Sequence, residues 1–176
     1  MPFSVPLIQV NPPVPERRTS PQISIREVIE QMSGLIEELQ QYYSDFSAVA
    51  GDSSLLDSLY DEKVVFRDPV HQVEGLPALK RYFSDMSGGL TSCRFEFDRS
   101  VLSEGGACLP WQMHFSHRQL QGGRELSLRG CSLLHFNDRV YYHEDFYDLG
   151  AMVYEQVPLL GSVVRGIKKR LGGAGS

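Results

Sequence analysis

The spacing of apolar residues changes at Gly88-Gly89, from mainly helical to strand-like. Before it, Met32, Leu35, Ile36, Leu39, Tyr42, Tyr43 and Phe46 recur every three or four residues, with Glu37, Glu38 and Gln40 on the wet side. Beyond it the period is two. Phe95 and Phe97 alternate with Arg94, Glu96 and Asp98, and Trp111, Met113 and Phe115 alternate with Gln112, His114 and Ser116. Leu126, Leu128, Gly130, Ser132, Leu134 and Phe136 then share one long face. Gly105-Gly106 and Gly122-Gly123 turn the chain between these runs, and Asn137-Asp138 turns it into Val140–Asp148. Helices followed by antiparallel hairpins predict an α+β fold. A curved sheet wrapped around three N-terminal helices would leave a concave face open at one end.

The helical half divides further. Periodicity begins near Ile25 or Val28 and ends at Gly51; Asp52 or Ser53 can cap a second short helix carrying Leu55, Leu56, Leu59 and Tyr60. A third helix after Gly75 carries Leu76, Leu79, Tyr82, Phe83 and Met86. Residues 1–22 hold six of the ten prolines, a density that defeats helix and central strand alike, and read as a disordered arm outside the core. The domain proper is expected over residues 23–150. Residues 151–176 form a helical extension that Pro158 and Gly161 break in two, with Lys168, Lys169 and Arg170 suited to a helix C-terminus.

Composition narrows the function. A chain of 176 residues fits one domain, and 41% hydrophobic with 22% charged residues is ordinary for a globular core. A net charge of −5 gives no electrostatic reason for a nucleic-acid partner. No apolar run approaches the ~20 residues that span a bilayer, and the N-terminus lacks a signal-peptide pattern. Cys93, Cys108 and Cys131 lie in strand-like apolar settings and read as reduced, buried residues of a cytoplasmic protein. No CxxC, HExxH or clustered Cys/His spacing is present, so neither a metal nor another cofactor is expected.

Two constellations carry chemistry. In Val64-Val65-Phe66-Arg67-Asp68-Pro69-Val70-His71, alternation puts Val64, Phe66 and Asp68 on one face, and Pro69 stops the strand. Asp68 is either a base aimed into a pocket or a strand-end carboxylate bonding backbone amides. His143 and Asp145 stand two apart on a strand and point to one face, which permits an imidazole–carboxylate pair or an exposed surface pair. Trp111, Met113 and Phe115 suit a pocket wall and suit ordinary core equally well.

Four features together resemble the nuclear transport factor 2-like superfamily, in its SnoaL-like and ketosteroid isomerase-like branch. They are Tyr42-Tyr43 ending a helix, Val64–Val70 after Leu59-Tyr60, Gly75 opening a helix that ends Arg81-Tyr82-Phe83, and Gly130–Asn137 leading into His143–Asp148. The resemblance covers roughly residues 33–150 and implies a cone-shaped fold. It places Asp68 where the isomerases hold their proton-shuttling base, and Tyr43 or Tyr42 near their oxyanion tyrosine. Ser132 falls where they hold a protonated aspartate, and Asp145 where epoxide hydrolases of this fold hold a catalytic carboxylate. Trp111 and Met113 replace the arginine and second aspartate of those hydrolases. His143 and Asp145 match the His/Asp acid–base pair of SnoaL-type cyclases.

The expectation is an apolar small-molecule pocket, with possible roles in cofactor-free acid–base chemistry of the isomerase, cyclase or hydratase type. The catalytic candidates are Asp68, Tyr43, His143 and Asp145; the ligand-binding candidates are Phe66, Trp111, Met113, Leu128, Ser132 and Leu134. The alternative is a non-catalytic ligand-binding or protein-interaction module. The convex sheet face, with Gln112, His114 and Ser116 pointing outward, is expected to pair two copies as a homodimer.

Overall fold

The computed structural model describes residues 25–50, 52–153 and 160–172. The proline-rich arm, the Gly51 helix stop and the Pro158 break lie outside the described residues. Helix α1 (Ile25–Ser44) buries Ile36, Leu39, Tyr42 and Tyr43, the three- and four-residue stripe of the sequence. The chain then kinks into a single turn, α2 (Phe46–Val49), which buries Phe46. Before α3 (Leu55–Leu59), the Asp52 carboxylate accepts the Ser54 amide at 3.0 Å and its hydroxyl at 2.5 Å. Tyr60 departs from the helical expectation. Its backbone is extended (φ −116°, ψ 144°), and it starts β1 (Tyr60–Arg67).

A hairpin through residues 68–71 joins β1 to β2 (Gln72–Glu74), and α4 (Leu76–Ser87) follows. Gly75 turns the chain into α4 at φ +83°, a value that favours glycine, and buried Leu76, Leu79 and Phe83 form the face of α4 that meets β1. Strands β3 (Leu90–Phe97), β4 (Val101–Ser103), β5 (Gly106–His117), β6 (Leu126–Phe136) and β7 (Val140–Tyr147) complete one sheet, ordered β2-β1-β7-β6-β5-β3 with β4 on β5. Every pairing is antiparallel except β1 with β7, which makes the sheet mixed. The curved mixed sheet, N-terminal helices and short C-terminal helix are the architecture expected from the change of period.

Register decides what faces the helices. Phe97 pairs with Trp111, Trp111 with Gly130, Ser132 with Asp145, Leu134 with His143, and His143 with Phe66. These side chains form one inward row across five strands, against which α1, α2 and α4 pack. Leu39, Phe46, Leu79, Phe83, Leu109, Leu134 and Phe136 are each at most 1% exposed. Burying a side chain of this size contributes about 1.5–3 kcal/mol.

The chain ends in α5 (Leu149–Met152) and α6 (Leu160–Gly172). Asp148 caps α5 at the Ala151 amide (3.0 Å) and takes Lys168 of α6 at 2.5 Å. No helix among the described residues is long and apolar enough to cross a membrane. All three cysteines are free thiols; Cys93 is buried as expected, whereas Cys108 and Cys131 are only half-buried.

Candidate active site

Between the concave sheet and the helices lies a cavity of about 340 Å³. Its walls are mainly apolar and aromatic. Phe66 comes from β1, Phe83 from α4, Phe95 from β3, and Trp111, Met113 and Phe115 from β5, with Tyr43 and Phe46 at the α1–α2 kink. Asp68, Asp145, Tyr147 and His117 supply its polar groups. Trp111 fits because β6 has Gly130 opposite. A Cβ there would fall on the six-membered ring of the indole and 2.7 Å from the Phe146 carbonyl oxygen.

Asp145 is held from behind by buried side chains. Its Oδ1 accepts the Ser132 hydroxyl at 2.5 Å and lies 2.9 Å from His143 Nε2. Ser132 Oγ in turn accepts the Trp111 indole N–H at 2.9 Å. His143 is 1% exposed, and its Nδ1 lies 2.8 Å from the Tyr60 hydroxyl, which lies 2.9 Å from that of Tyr43. The row is complete with a neutral ring: Tyr43 donates to Tyr60, Tyr60 to Nδ1, and Nε2–H to Asp145. A doubly protonated ring would reverse it, because Nδ1–H would donate to Tyr60 and Tyr60 to Tyr43. The Tyr43 proton would then be free for another acceptor. Burial holds the hydroxyls of Tyr43 and Tyr60 well above the ordinary tyrosine range, so both stay protonated phenols.

Asp68 is held differently. It stands just past the end of β1, where Oδ1 accepts the amides of Val70 and His71, each at 2.7 Å, and Oδ2 accepts a short hydrogen bond from the Tyr82 hydroxyl of α4. Asp68 thus bonds the amides of its turn and also lines the cavity. Burial raises the Tyr82 hydroxyl above its ordinary range, and the bond to Asp68 adds to the effect. Tyr147 is raised by burial and then by the charges of both Asp68 and Asp145, so the two carboxylates act on one neighbourhood.

Of the ligand-binding candidates, Phe66, Trp111 and Met113 line the cavity. Leu128 and Leu134 do not. They are 5% and 0% exposed and face inward, but Leu128 stands opposite Met113, and Leu134 between Ala107 and His143, within filled core. An inward direction on a strand gives burial, not access. Ser132 also sits outside the main cavity, and its proton goes to Asp145 rather than toward a ligand. Tyr60 and Tyr82, which bond His143 and Asp68, are not among the candidates read from the sequence. Alternation counted back from Val64 and Phe66 reaches Tyr60, although exposed Glu62 interrupts that face. Burial pushes the Cys93 thiol in the wall up to about 12, which leaves it inert near neutral pH. Among the described residues, no group of three His, Cys, Asp or Glu side chains is placed to hold a metal ion.

Solved structures share this architecture. An NTF2-like protein of unknown function from Burkholderia pseudomallei aligns over 70% of this chain and 95% of its own, at 14% identity and a TM-score of 0.60. A hypothetical protein with a ketosteroid isomerase-like fold from Catenulispora acidiphila, solved in complex with trimethylamine, aligns over 69% and 90%, at 9% identity and 0.59. A candidate SnoaL-like polyketide cyclase from Jannaschia sp. CCS1 aligns over 68% and 89%, at 13% identity and 0.58. At these identities the likeness is one of fold. No protein of curated function matches the chain in sequence. The model of the SnoaL-like domain matches residues 39–143, more than half of the sequence, and the chain belongs to that family.

Proposed function

We propose that the cavity binds a small, mostly apolar molecule and that the protein moves a proton on it without a cofactor, in a reaction of the isomerase, cyclase or hydratase type. The observation that carries this reading is the setting of Asp145, whose carboxylate lines an apolar cavity while Ser132 and His143 both bond its Oδ1. Oδ2 carries neither of those bonds. It would take a proton from a carbon beside a carbonyl, and the acid so formed would return it at a second position. Tyr43 would donate to the oxygen on which charge develops when His143 is doubly protonated, since Tyr60 then donates to Tyr43 and leaves its proton free. In proportion to the ~150 Å³ that holds benzene, this cavity holds about a dozen heavy atoms, which is smaller than a steroid nucleus.

A second reading, a non-catalytic ligand-binding module, is favoured by Asp68, whose three donors occupy lone pairs a base would need. The three free thiols support a cytoplasmic location. The protein's partner is a second copy, joined through the outer sheet face around Gln112 and His114, where Phe146 is exposed and Ser116, expected outward, is buried; a sedimentation profile showing only monomer at micromolar concentration would reject that partner. The catalytic reading is tested with 2-tetralone, a ketone of suitable size. Deuterium should enter its α-carbon faster with the protein than in buffer, and Asp145→Asn should slow that gain by about 100-fold or more. Equal rates with and without the protein would favour the non-catalytic reading.

A further inference from the structure

The cavity is lined by two carboxylates. Asp68 and Asp145 line it, and no lysine or arginine does among the described residues. The imidazole in the wall, His117, accepts the Gln119 amide at Nδ1 (3.2 Å), as a neutral ring does. His143 lies behind Asp145 and outside the cavity wall, with Nε2 on Asp145 and Nδ1 on the Tyr60 hydroxyl. Carboxylates facing apolar walls are costly without a positive partner. The remaining walls are ring faces, among them Phe66, Phe83, Phe95, Trp111 and Tyr147, and aromatic faces attract cations. Asp68 is fixed by three donors on about four lone-pair sites, which leaves one site directed by a rigid carboxylate. The charges of both carboxylates reach Tyr82 and Tyr147, which puts them in one part of the site.

Resting on the reading of the cavity as a ligand site, we propose that its ligand is a compact organic cation. It has an apolar body of about a dozen heavy atoms and one protonated amine. Asp68 is the charge anchor, the ring faces hold the substituents on nitrogen, and Asp145 is left to act on the carbon skeleton. An anionic ligand would meet two carboxylates and is disfavoured.

Three probes with one phenethyl body test this: N,N-dimethyl-2-phenylethylamine, its uncharged isostere 3-methylbutylbenzene, and the anion 3-phenylpropionate. Binding is read from the fluorescence of Trp111, the only tryptophan and part of the cavity wall. The cation should bind about tenfold or more tightly than the hydrocarbon, and the anion most weakly. Asp68→Asn keeps an oxygen for the two turn amides. It should lower cation affinity about tenfold and leave the hydrocarbon unchanged, with an unchanged thermal midpoint confirming the fold. Equal binding of cation and hydrocarbon would overturn the cation proposal while leaving the apolar pocket standing. A cation preference unchanged in both Asp68→Asn and Asp145→Asn would overturn it too, as would tightest binding of the anion. No binding by any probe would overturn it together with the pocket reading beneath it.

Discussion

Asp68 and Asp145 line the same cavity, and the protein holds them by opposite means. Asp68 is fixed by its own turn, through the Val70 and His71 amides, with one outside donor from Tyr82. Asp145 is held by side chains instead. Its partners are Ser132 and His143, and behind them stand Trp111, Tyr60 and Tyr43 from three further elements. A locally held carboxylate forms with its loop and tolerates change elsewhere. A carboxylate held by a buried side-chain row feels every member of that row, because each buried polar atom left unpaired is costly. The first arrangement suits a fixed charge and the second a group whose protonation must be coupled to its surroundings.

That contrast is broken most severely at His143. Replacing His143 by alanine removes a fully buried ring and takes one hydrogen-bond partner from each of Tyr60 and Asp145, and should cost about 3–5 kcal/mol in urea unfolding. A cost below about 1 kcal/mol would mean that the row does not hold the core. Gly130→Ala should cost about 1–3 kcal/mol by pushing the Trp111 ring off the sheet. It should also shift the Trp111 emission, since the indole N–H would leave Ser132.

Tyr60→Phe and Tyr82→Phe compare the two holds directly. Tyr60 is fully buried and bonded on both sides, so its loss should cost about 1–3 kcal/mol, against about 0.5–1.5 for half-buried Tyr82. The reverse order in chemical denaturation would place the stronger hold at the Asp68 turn. The last effect is silent at neutral pH. Tyrosines in the unfolded chain ionise near pH 10, whereas burial raises Tyr43 and Tyr60 in the folded protein. The unfolded state therefore binds fewer protons above pH 10, and stability present in full below that pH should fall as pH rises beyond it. Phenolate absorbance from these two residues should appear only as the protein unfolds; its appearance in the folded state would show that water reaches the row.

Much of this was legible in the sequence where a single period rules. Trp111, Met113 and Phe115 alternate without interruption, so their shared inward face follows from spacing alone. His143 and Asp145 likewise had to share a face, and their 2.9 Å contact needed only the right rotamers. Tyr60 was hidden because exposed Glu62 interrupts the face it shares with Val64 and Phe66, and the pairing of β1 with β7 shifts register between Tyr60 and Val65. The Tyr82–Asp68 bond joins a helix to a turn 14 residues away, a distance no local pattern measures. Leu128 and Leu134 show the limit of facing arguments: a strand pattern tells in from out, but where packing stops and a cavity begins depends on side chains from other elements.

The division of labour between the two carboxylates rests most directly on one pair of rates. Deuterium exchange into 2-tetralone, measured in Asp145→Asn and Asp68→Asn side by side, separates the proton acceptor from the fixed charge. Asp145→Asn should lose about 100-fold or more of the protein-dependent rate. Asp68→Asn, acting on a neutral ketone, should stay within about tenfold of the unmodified protein. A large loss in Asp68→Asn with little change in Asp145→Asn would contradict this assignment and make the turn carboxylate the base.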